Sequence, residues 1–300
     1  MRQSCATIKQ ELLCAKRERL PQVLLVIFLA MVAVSCFIGW ATNHTVTNVY
    51  NEAVRQGITT APNPFTGVSP LFYARNTVIY IVLIGALLAI VLSVQAALRD
   101  RKARVTDLLL SRPIQTPIYL GAKLVGLSVW LLAILMVSGL INWISINAII
   151  GHLLSSQDSL RLFAFYAFSW LFLIPFVALG LLSGLYARRE TSALLIPIVI
   201  WSVLTFVIPQ LGTAEHPVSL LNPVPAQIVS HGFFFQVNQT VFGPLSLTEH
   251  FKHVSGTILK DSQVSGSNIK SQIVVGSFAV VSVVALLSTK RTRLRNEFHE

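Results

Sequence analysis

Residues 124–150 read LVGLSVWLLAILMVSGLINWISINAII, and this stretch decides the fold class. It belongs to a run of 34 uncharged residues between Lys123 and Asp158. About 20 consecutive apolar residues in an α-helix cross the ~30 Å hydrocarbon core of a bilayer. The stretch therefore predicts a membrane-spanning helix, and no loop signal divides it into two.

The rest of the chain repeats this pattern. Of its 300 residues, 54% are hydrophobic and 12% are charged, whereas a soluble domain carries about 25% charged residues. This composition argues against a water-soluble enzyme, and the apolar runs do not alternate as the strands of a membrane barrel do. We predict one all-α integral membrane domain over 1–300 with six transmembrane helices, at about 21–41, 78–98, 120–150, 162–186, 191–209 and 271–289.

Lysine and arginine residues predict the orientation. Seventeen of them lie in segments 1–20, 99–123, 187–190 and 290–300, and six lie in the intervening segments. Because basic residues concentrate in the cytoplasmic loops of membrane proteins, we predict that both termini are cytoplasmic. Residues 210–270 then form a large external loop before span 6.

The segment 8–20 has the spacing of an amphipathic helix. Ile8, Leu12 and Arg19 share one side, while Lys16 and Arg17 lie elsewhere and can face lipid phosphates. We predict a helix in the cytoplasmic interface that contacts membrane lipid. The alternative is an ordinary basic flank of span 1.

The second basic segment connects spans 2 and 3. It combines a charged turn with a short apolar run and then Pro113, which ends any helix that reaches it. An apolar run has no reason to face the cytosol unless a partner covers it. We therefore predict a short cytoplasmic coupling helix whose residues contact a partner: Asp100, Arg101, Arg104, Asp107, Leu108, Leu109, Leu110, Ser111, Arg112 and Pro113.

The sequence 108–113 (LLLSRP), followed by Gly121-Ala122-Lys123, resembles the signature of ABC transporter permeases of the type-2 (exporter) class. In size and layout the chain is similar to the subgroup that serves nitrous-oxide-reductase maturation. The resemblance implies a transport subunit of the bacterial inner membrane, not an enzyme. It also implies a cytosolic ABC ATPase dimer, which would hold ATP and Mg²⁺, and a second permease copy or a similar chain.

This chain carries no Gly-x4-Gly-Lys-Ser/Thr loop for nucleotide phosphates, so no cofactor is predicted in it. A second hypothesis, from another class, is a non-transporting membrane scaffold that anchors cytosolic partners through its basic loops. Nothing favours nucleic acid as a partner, and the large external loop leaves room for a periplasmic or external one. No catalytic constellation is visible.

Two groups of polar residues allow a functional interpretation. Asn142, Ser145 and Asn147 lie on span 3, where they either line a transport pathway or form hydrogen bonds between helices. His250 and His253 are weak candidates for a metal site because their spacing is unlike that of a closed zinc site. A solvated loop surface is the favoured interpretation of the two histidines, and no metal is predicted.

Overall fold

The computed structural model describes residues 2–15, 18–60, 69–102, 116–213, 221–225, 232–261, 264 and 266–289. Within these ranges the regular secondary structure is helical and includes no strand. The prediction of an all-α fold is therefore confirmed.

Six helices in the described part of the chain are long and apolar enough to cross a membrane. We number them spans 1 to 6: Arg19–Arg55, Pro70–Arg101, Thr116–Ile150, Ser156–Tyr186, Glu190–Leu211 and Ile269–Leu287. The predicted number of spans is confirmed, and the predicted ranges differ from these mainly at the helix ends.

Span 1 is longer than its apolar sequence. Its 37 residues extend about 55 Å at 1.5 Å per residue, whereas the hydrocarbon core measures ~30 Å. The helix continues beyond Ala41 through polar residues and ends before Gly57, whose φ of 68° suits glycine at a helix end. Hydropathy predicted the apolar part of this helix but not its polar continuation.

Span 2 lies at the centre of the bundle and packs most extensively against span 4. Gly180 and Gly184 of span 4 allow this close approach. A Cβ atom on Gly180 would lie 2.0 Å from Ser93 Oγ, and one on Gly184 would lie 2.6 Å from Ala97 Cβ. Small residues four positions apart let two membrane helices approach closely.

Two spans contain a π-helical turn, Ile81–Gly85 in span 2 and Val203–Val207 in span 5. These spans meet there, because the Trp201 indole N–H donates a hydrogen bond of 3.2 Å to the Val82 carbonyl.

In the described parts of the stretch between spans 5 and 6, two helices are present. We call Phe233–Phe242 the aromatic helix and Leu247–Ile258 the loop helix. The loop helix packs against spans 4, 5 and 6, and the Phe251 ring stacks on Phe172 with 4.1 Å between ring centroids. We call this end of the bundle the loop end.

Two ion pairs fasten the residues after the loop helix to the spans. Arg75 Nε lies 2.8 Å from Asp261 Oδ2, and Lys260 Nζ lies 2.7 Å from Asp158 Oδ1. The opposite end of the bundle, which carries the N-terminal helix Arg2–Ala15, is called the basic end.

Candidate coupling site at the basic end of the bundle

The N-terminal helix packs along span 3. Gly126 makes this contact close, because a Cβ atom there would lie 3.0 Å from Glu11 Cβ and 3.4 Å from Ile8 Cα. Glu11 is buried on the packed side, whereas Leu13 is 59% exposed. The helix thus uses one side to bind the bundle, and Leu12 is partly buried beside it.

The boundary of this helix differs from the predicted one. The helix ends at Ala15, Glu18 has an extended backbone, and Arg19 is the first residue of span 1. Pro21 gives the physical reason, since proline is tolerated in the first turn of a helix but breaks a helix interior. Lys16 and Arg17 lie outside the described residues.

Charged residues from three helices and from the connection before span 1 meet at the basic end. Lys123 Nζ lies 3.0 Å from Glu11 Oε1 and donates a hydrogen bond of 2.8 Å to the Ala96 carbonyl. It also pairs with Asp100, while Arg99 pairs with both Glu11 and Glu18. We call Glu11, Glu18, Arg99, Asp100 and Lys123 the ion cluster.

The centre of the ion cluster is shielded from water, whereas Arg99 and Glu18 at its edge are partly exposed. Glu11 and Lys123 are each 2% exposed, so their charges need partners to offset the loss of hydration. The Tyr119 hydroxyl donates a further hydrogen bond to Asp100. Burial raises the pKa of Glu18, and the neighbouring Arg99 opposes this shift.

Three consecutive residues at the end of span 2 bind three different parts of the bundle. Arg99 pairs with Glu11 of the N-terminal helix, with 2.5 Å between Nη2 and Oε2. Asp100 pairs with Lys123 of span 3. Arg101 donates hydrogen bonds to the backbone at the end of span 4, to the carbonyl of Ala187 and, at 3.4 Å, to that of Gly184. Successive helical residues point about 100° apart, which lets one turn make all three contacts.

Asp100 and Arg101 are also the first two residues of the predicted coupling segment. Asp100 is 6% exposed, so its carboxylate faces the ion cluster, and Arg101 is partly buried. The other predicted coupling residues lie outside the described residues: Arg104, Asp107, Leu108, Leu109, Leu110, Ser111, Arg112 and Pro113. Contact of this segment with a partner stays a prediction.

Asn142 is the centre of a polar cluster inside the bundle. Its Oδ1 accepts a hydrogen bond of 2.9 Å from Cys36 Sγ. Its Nδ2 donates to Thr77 Oγ1 at 3.0 Å and to the Tyr166 hydroxyl at 2.6 Å. The residue is fully buried, and these contacts join spans 1, 2, 3 and 4. Asn142 could line a pathway or form hydrogen bonds between helices. The contacts of its side chain in this structure are of the second kind.

Ser145 and Asn147 have different surroundings. Ser145 lines a cavity of about 390 Å³ between spans 1 and 3, together with Cys36 and Trp40. Asn147 Oδ1 accepts a hydrogen bond of 2.7 Å from the Leu154 backbone N–H and so fastens the turn before span 4. Asn142, Ser145 and Asn147 do not line a common cavity in this structure. A pathway role for Ser145 stays a prediction.

A comparison with family models identifies the fold as a whole. The model described as ABC-2 family transporter protein matches residues 6–290. The chain belongs to the ABC-2 transporter family. It is a multi-pass membrane component of an ABC transporter and is not itself the catalytic subunit, and family membership implies partnering with an ABC ATPase, generally as a dimer.

A comparison with curated proteins gives no significant match. The family match applies to ABC-2 transporters as a whole, so similarity to the nitrous-oxide-reductase subgroup stays a prediction.

The two candidate metal-binding histidines of this ABC-2 protein lie on the loop helix. His250 Nδ1 lies 3.0 Å from Ser271 Oγ of span 6, and burial lowers the pKa of His250. Among the described residues, no three His, Cys, Asp or Glu side chains come together as a metal site.

The sequence interpretation missed two features of the ABC-2 fold. Glu11, Glu18, Arg99 and Lys123 were not predicted as one site, although opposite charges at neighbouring helix ends are a visible signal. The pair Gly180 and Gly184 was also missed, and its four-residue spacing is readable from the sequence.

Proposed function

We propose that the chain is the transmembrane permease subunit of an ATP-driven exporter of the bacterial inner membrane. The basic end would face the cytoplasm, because 17 of the 23 lysine and arginine residues belong to the segments on that side. Both termini would then be cytoplasmic, and residues 210–270 would face outward.

The observation that carries this proposal is the set of contacts made by Arg99, Asp100 and Arg101. Asp100 and Arg101 begin the predicted coupling segment, and Arg99 immediately precedes it. A movement of that helix would therefore pull on the N-terminal helix, span 3 and span 4 at once. This arrangement suits a subunit that converts movement of a cytosolic ATPase into movement of its spans.

The ATPase would be a separate chain that binds ATP and Mg²⁺. We propose two permease copies in the complex, one for each ATPase of the dimer. Spans 1 and 5 have large exposed apolar faces, with Val26 66% exposed and Val199 59% exposed. These faces are available for lipid or for a second copy.

The decisive experiment replaces Arg101 in the complex of permease and ATPase reconstituted in lipid. Arg101→Ala removes the contact with span 4, and we expect permease-stimulated ATP hydrolysis to fall several-fold while the subunits still copurify. Arg189→Ala is the matched control, because Arg189 is an exposed basic residue at the same end. We expect the control to keep its activity.

Full stimulation in an intact Arg101→Ala complex would contradict coupling through this residue. Failure of any ATPase to copurify with the native chain would favour the scaffold hypothesis. Leu109→Asp tests the predicted coupling helix itself and should also reduce stimulated hydrolysis.

A further inference from the structure

A cavity of about 780 Å³ lies beside the ion cluster at the basic end. The last turns of span 2 and the first two turns of span 5 line it, and Glu18 of the connection before span 1 lines a further side. Its volume is within the range of about 300–1,000 Å³ that is typical of small-molecule sites. We call this space the side cavity.

The lining of the side cavity changes from charged to uncharged with depth in the bundle. On span 5, Glu190 is the first residue, and Leu194 lies one turn deeper, about 6 Å away at 1.5 Å per residue. On span 2, Arg99 lies near the helix end, followed inward by Leu98 and Gln95. Charged residues at helix ends mark the level of the membrane surface. The cavity therefore has the polarity of an amphiphile that lies with its charged group at the surface.

The charges at the mouth of the side cavity favour a cationic group. The ion cluster, as defined by its five residues, contains three carboxylates and two cations, and its Glu18 and Arg99 line the cavity. Glu190 adds another carboxylate to the lining, while the described residues Arg188 and Arg189 do not line it. Because burial raises the pKa of Glu18, a further positive charge beside this carboxyl group would stabilise its ionised form.

The same mouth offers hydrogen-bond donors to an anionic group. Arg99 donates to both Glu11 and Glu18, but a guanidinium group has five N–H donors, and the Arg99 side chain is 24% exposed. The Thr191 hydroxyl, in the first turn of span 5, also lines the cavity. Carboxylates and donors at one mouth suit a group that carries both charges better than they suit a simple cation.

We propose that the side cavity binds a membrane lipid whose headgroup carries a primary ammonium group next to a phosphate, as in phosphatidylethanolamine. The ammonium group binds between Glu18 and Glu190. The phosphate accepts hydrogen bonds from Arg99 and Thr191. The lipid thus joins the beginning of span 5 to the end of span 2.

The deeper lining accommodates the rest of such a lipid. Leu98 and Leu194 provide apolar walls for its chains, and the Gln95 amide can donate to an ester carbonyl. A free amphiphilic amine shares the ammonium group and the apolar chain but not the phosphate or the esters. The inference depends neither on the ATPase nor on which leaflet surrounds the basic end.

The test measures the melting temperature of the full chain in nanodiscs. The discs contain phosphatidylcholine alone, or phosphatidylcholine with half of it replaced by phosphatidylethanolamine or by phosphatidylglycerol. Phosphatidylcholine has no N–H donor on its headgroup, and phosphatidylglycerol has no ammonium group. We expect phosphatidylethanolamine to raise the melting temperature by at least about 3 °C, because a ligand that binds only the folded state stabilises it. Phosphatidylglycerol should give no such rise.

Two variants locate the effect in the side cavity. Leu194→Trp fills the cavity and should abolish the rise that phosphatidylethanolamine causes, and Glu190→Gln should reduce it by at least half. Leu195→Trp is the matched control, since Leu195 is 59% exposed and does not line the cavity, and it should keep the full rise. Each rise is measured against the same variant in phosphatidylcholine, so a change in basal stability does not affect the comparison. If Leu194→Trp does not fold, Glu190→Gln decides.

Three results would overturn the proposal. One is the absence of a rise with phosphatidylethanolamine, and another is an equal rise with phosphatidylglycerol, which would indicate recognition of phosphate alone. The third is a full rise in both Leu194→Trp and Glu190→Gln, which would assign the effect to the surrounding bilayer. Dodecylamine added to phosphatidylcholine discs separates the two sources of the ammonium group. Stabilisation by dodecylamine without stabilisation by phosphatidylethanolamine would assign the cavity to a soluble amine instead of a lipid.

Discussion

Lys123 Nζ lies 3.0 Å from Glu11 Oε1, and this contact fastens the N-terminal helix to the beginning of span 3. Both side chains are 2% exposed. Their desolvation is offset only while the charges remain paired, because a buried charge that loses its partner is strongly destabilising. The contact therefore holds the helix in place only as part of the complete ion cluster.

The first prediction removes the ammonium group. Lys123→Met leaves Glu11, Glu18 and Asp100 with Arg99 as the remaining cation of the cluster, and we expect a loss of about 3–5 kcal/mol in the free energy of unfolding. Adding Asp100→Asn should restore part of this loss by removing the buried carboxylate that paired with Lys123. The apparent melting temperature in mild detergent measures both effects.

Lys260→Met is the control for this prediction. Lys260 pairs with Asp158 but its side chain is 38% exposed, so its removal should cost about 1 kcal/mol or less. Equal losses for Lys123→Met and Lys260→Met would contradict the role of burial in the ion cluster.

The second prediction concerns the contact between spans 2 and 4. Gly180→Ala places a methyl group 2.0 Å from Ser93 Oγ and 2.8 Å from the Ile90 carbonyl oxygen, so the two helices must separate. We expect a loss of about 2 kcal/mol or more, as for other overpacked cores, and a lower yield of folded protein. Gly184→Ala should act similarly.

Gly276→Ala is the matched control in span 6, because a Cβ atom there meets nothing within 4 Å. Alanine favours a helix over glycine by up to about 1 kcal/mol, so this variant should be neutral or slightly more stable. The close-packing explanation fails if Gly180→Ala and Gly276→Ala melt at the same temperature.

The spans were predictable because membrane insertion is a local property. The charge-free run from Leu124 to Ile150 is apolar enough to insert into hydrocarbon as one helix. The observed helix Thr116–Ile150 contains the whole run. The polar end of span 1 was not predictable in this way, since residues after Ala41 stay helical without contributing to insertion.

The site was less predictable because its contacts join distant parts of the sequence. Glu11 and Arg99 are 88 residues apart, and Asn142 and Cys36 are 106 apart. Local periodicity predicted an amphipathic N-terminal helix, but the charge of Glu11 gave no indication that it would be buried. Its burial depends on Arg99 and Lys123, which are brought to it by spans 2 and 3.

The third prediction addresses the polar cluster around Asn142. Asn142→Leu leaves the Thr77 and Tyr166 hydroxyls without this partner, and we expect a loss of about 1–2 kcal/mol. Thr77→Val removes one of the three hydrogen bonds and should cost less. Ser138→Ala is a control on the same span, because its hydroxyl donates to the Ile134 carbonyl of its own helix. A loss for Ser138→Ala as large as that for Asn142→Leu would contradict a special role for this cluster.

The last prediction is a dependence of stability on pH that arises at His250. Burial lowers the pKa of His250 below its ordinary value of 6.5, and the nearby His253 adds to this shift, while a hydrogen bond with the Gly243 backbone and the charge of Glu249 oppose it. The Nδ1 atom of His250 lies 3.0 Å from the uncharged hydroxyl group of Ser271 in span 6. The folded protein therefore binds this proton less readily than the unfolded chain. Stability from the neutral imidazole is present above pH 6.5 and is lost as the pH falls through 6.5 toward the lower pKa of the folded state.

Melting temperatures measured between pH 7.5 and pH 5 check this effect. His250→Asn should show a smaller decrease on acidification than the native chain, because it removes the group that is protonated on unfolding. His152→Asn is the control, since His152 is exposed in the turn before span 4, and it should keep the native slope. If His250→Asn keeps that slope as well, then the acid sensitivity of the loop end comes from other groups. The argument that burial of His250 makes the stability of the protein depend on pH would then be wrong.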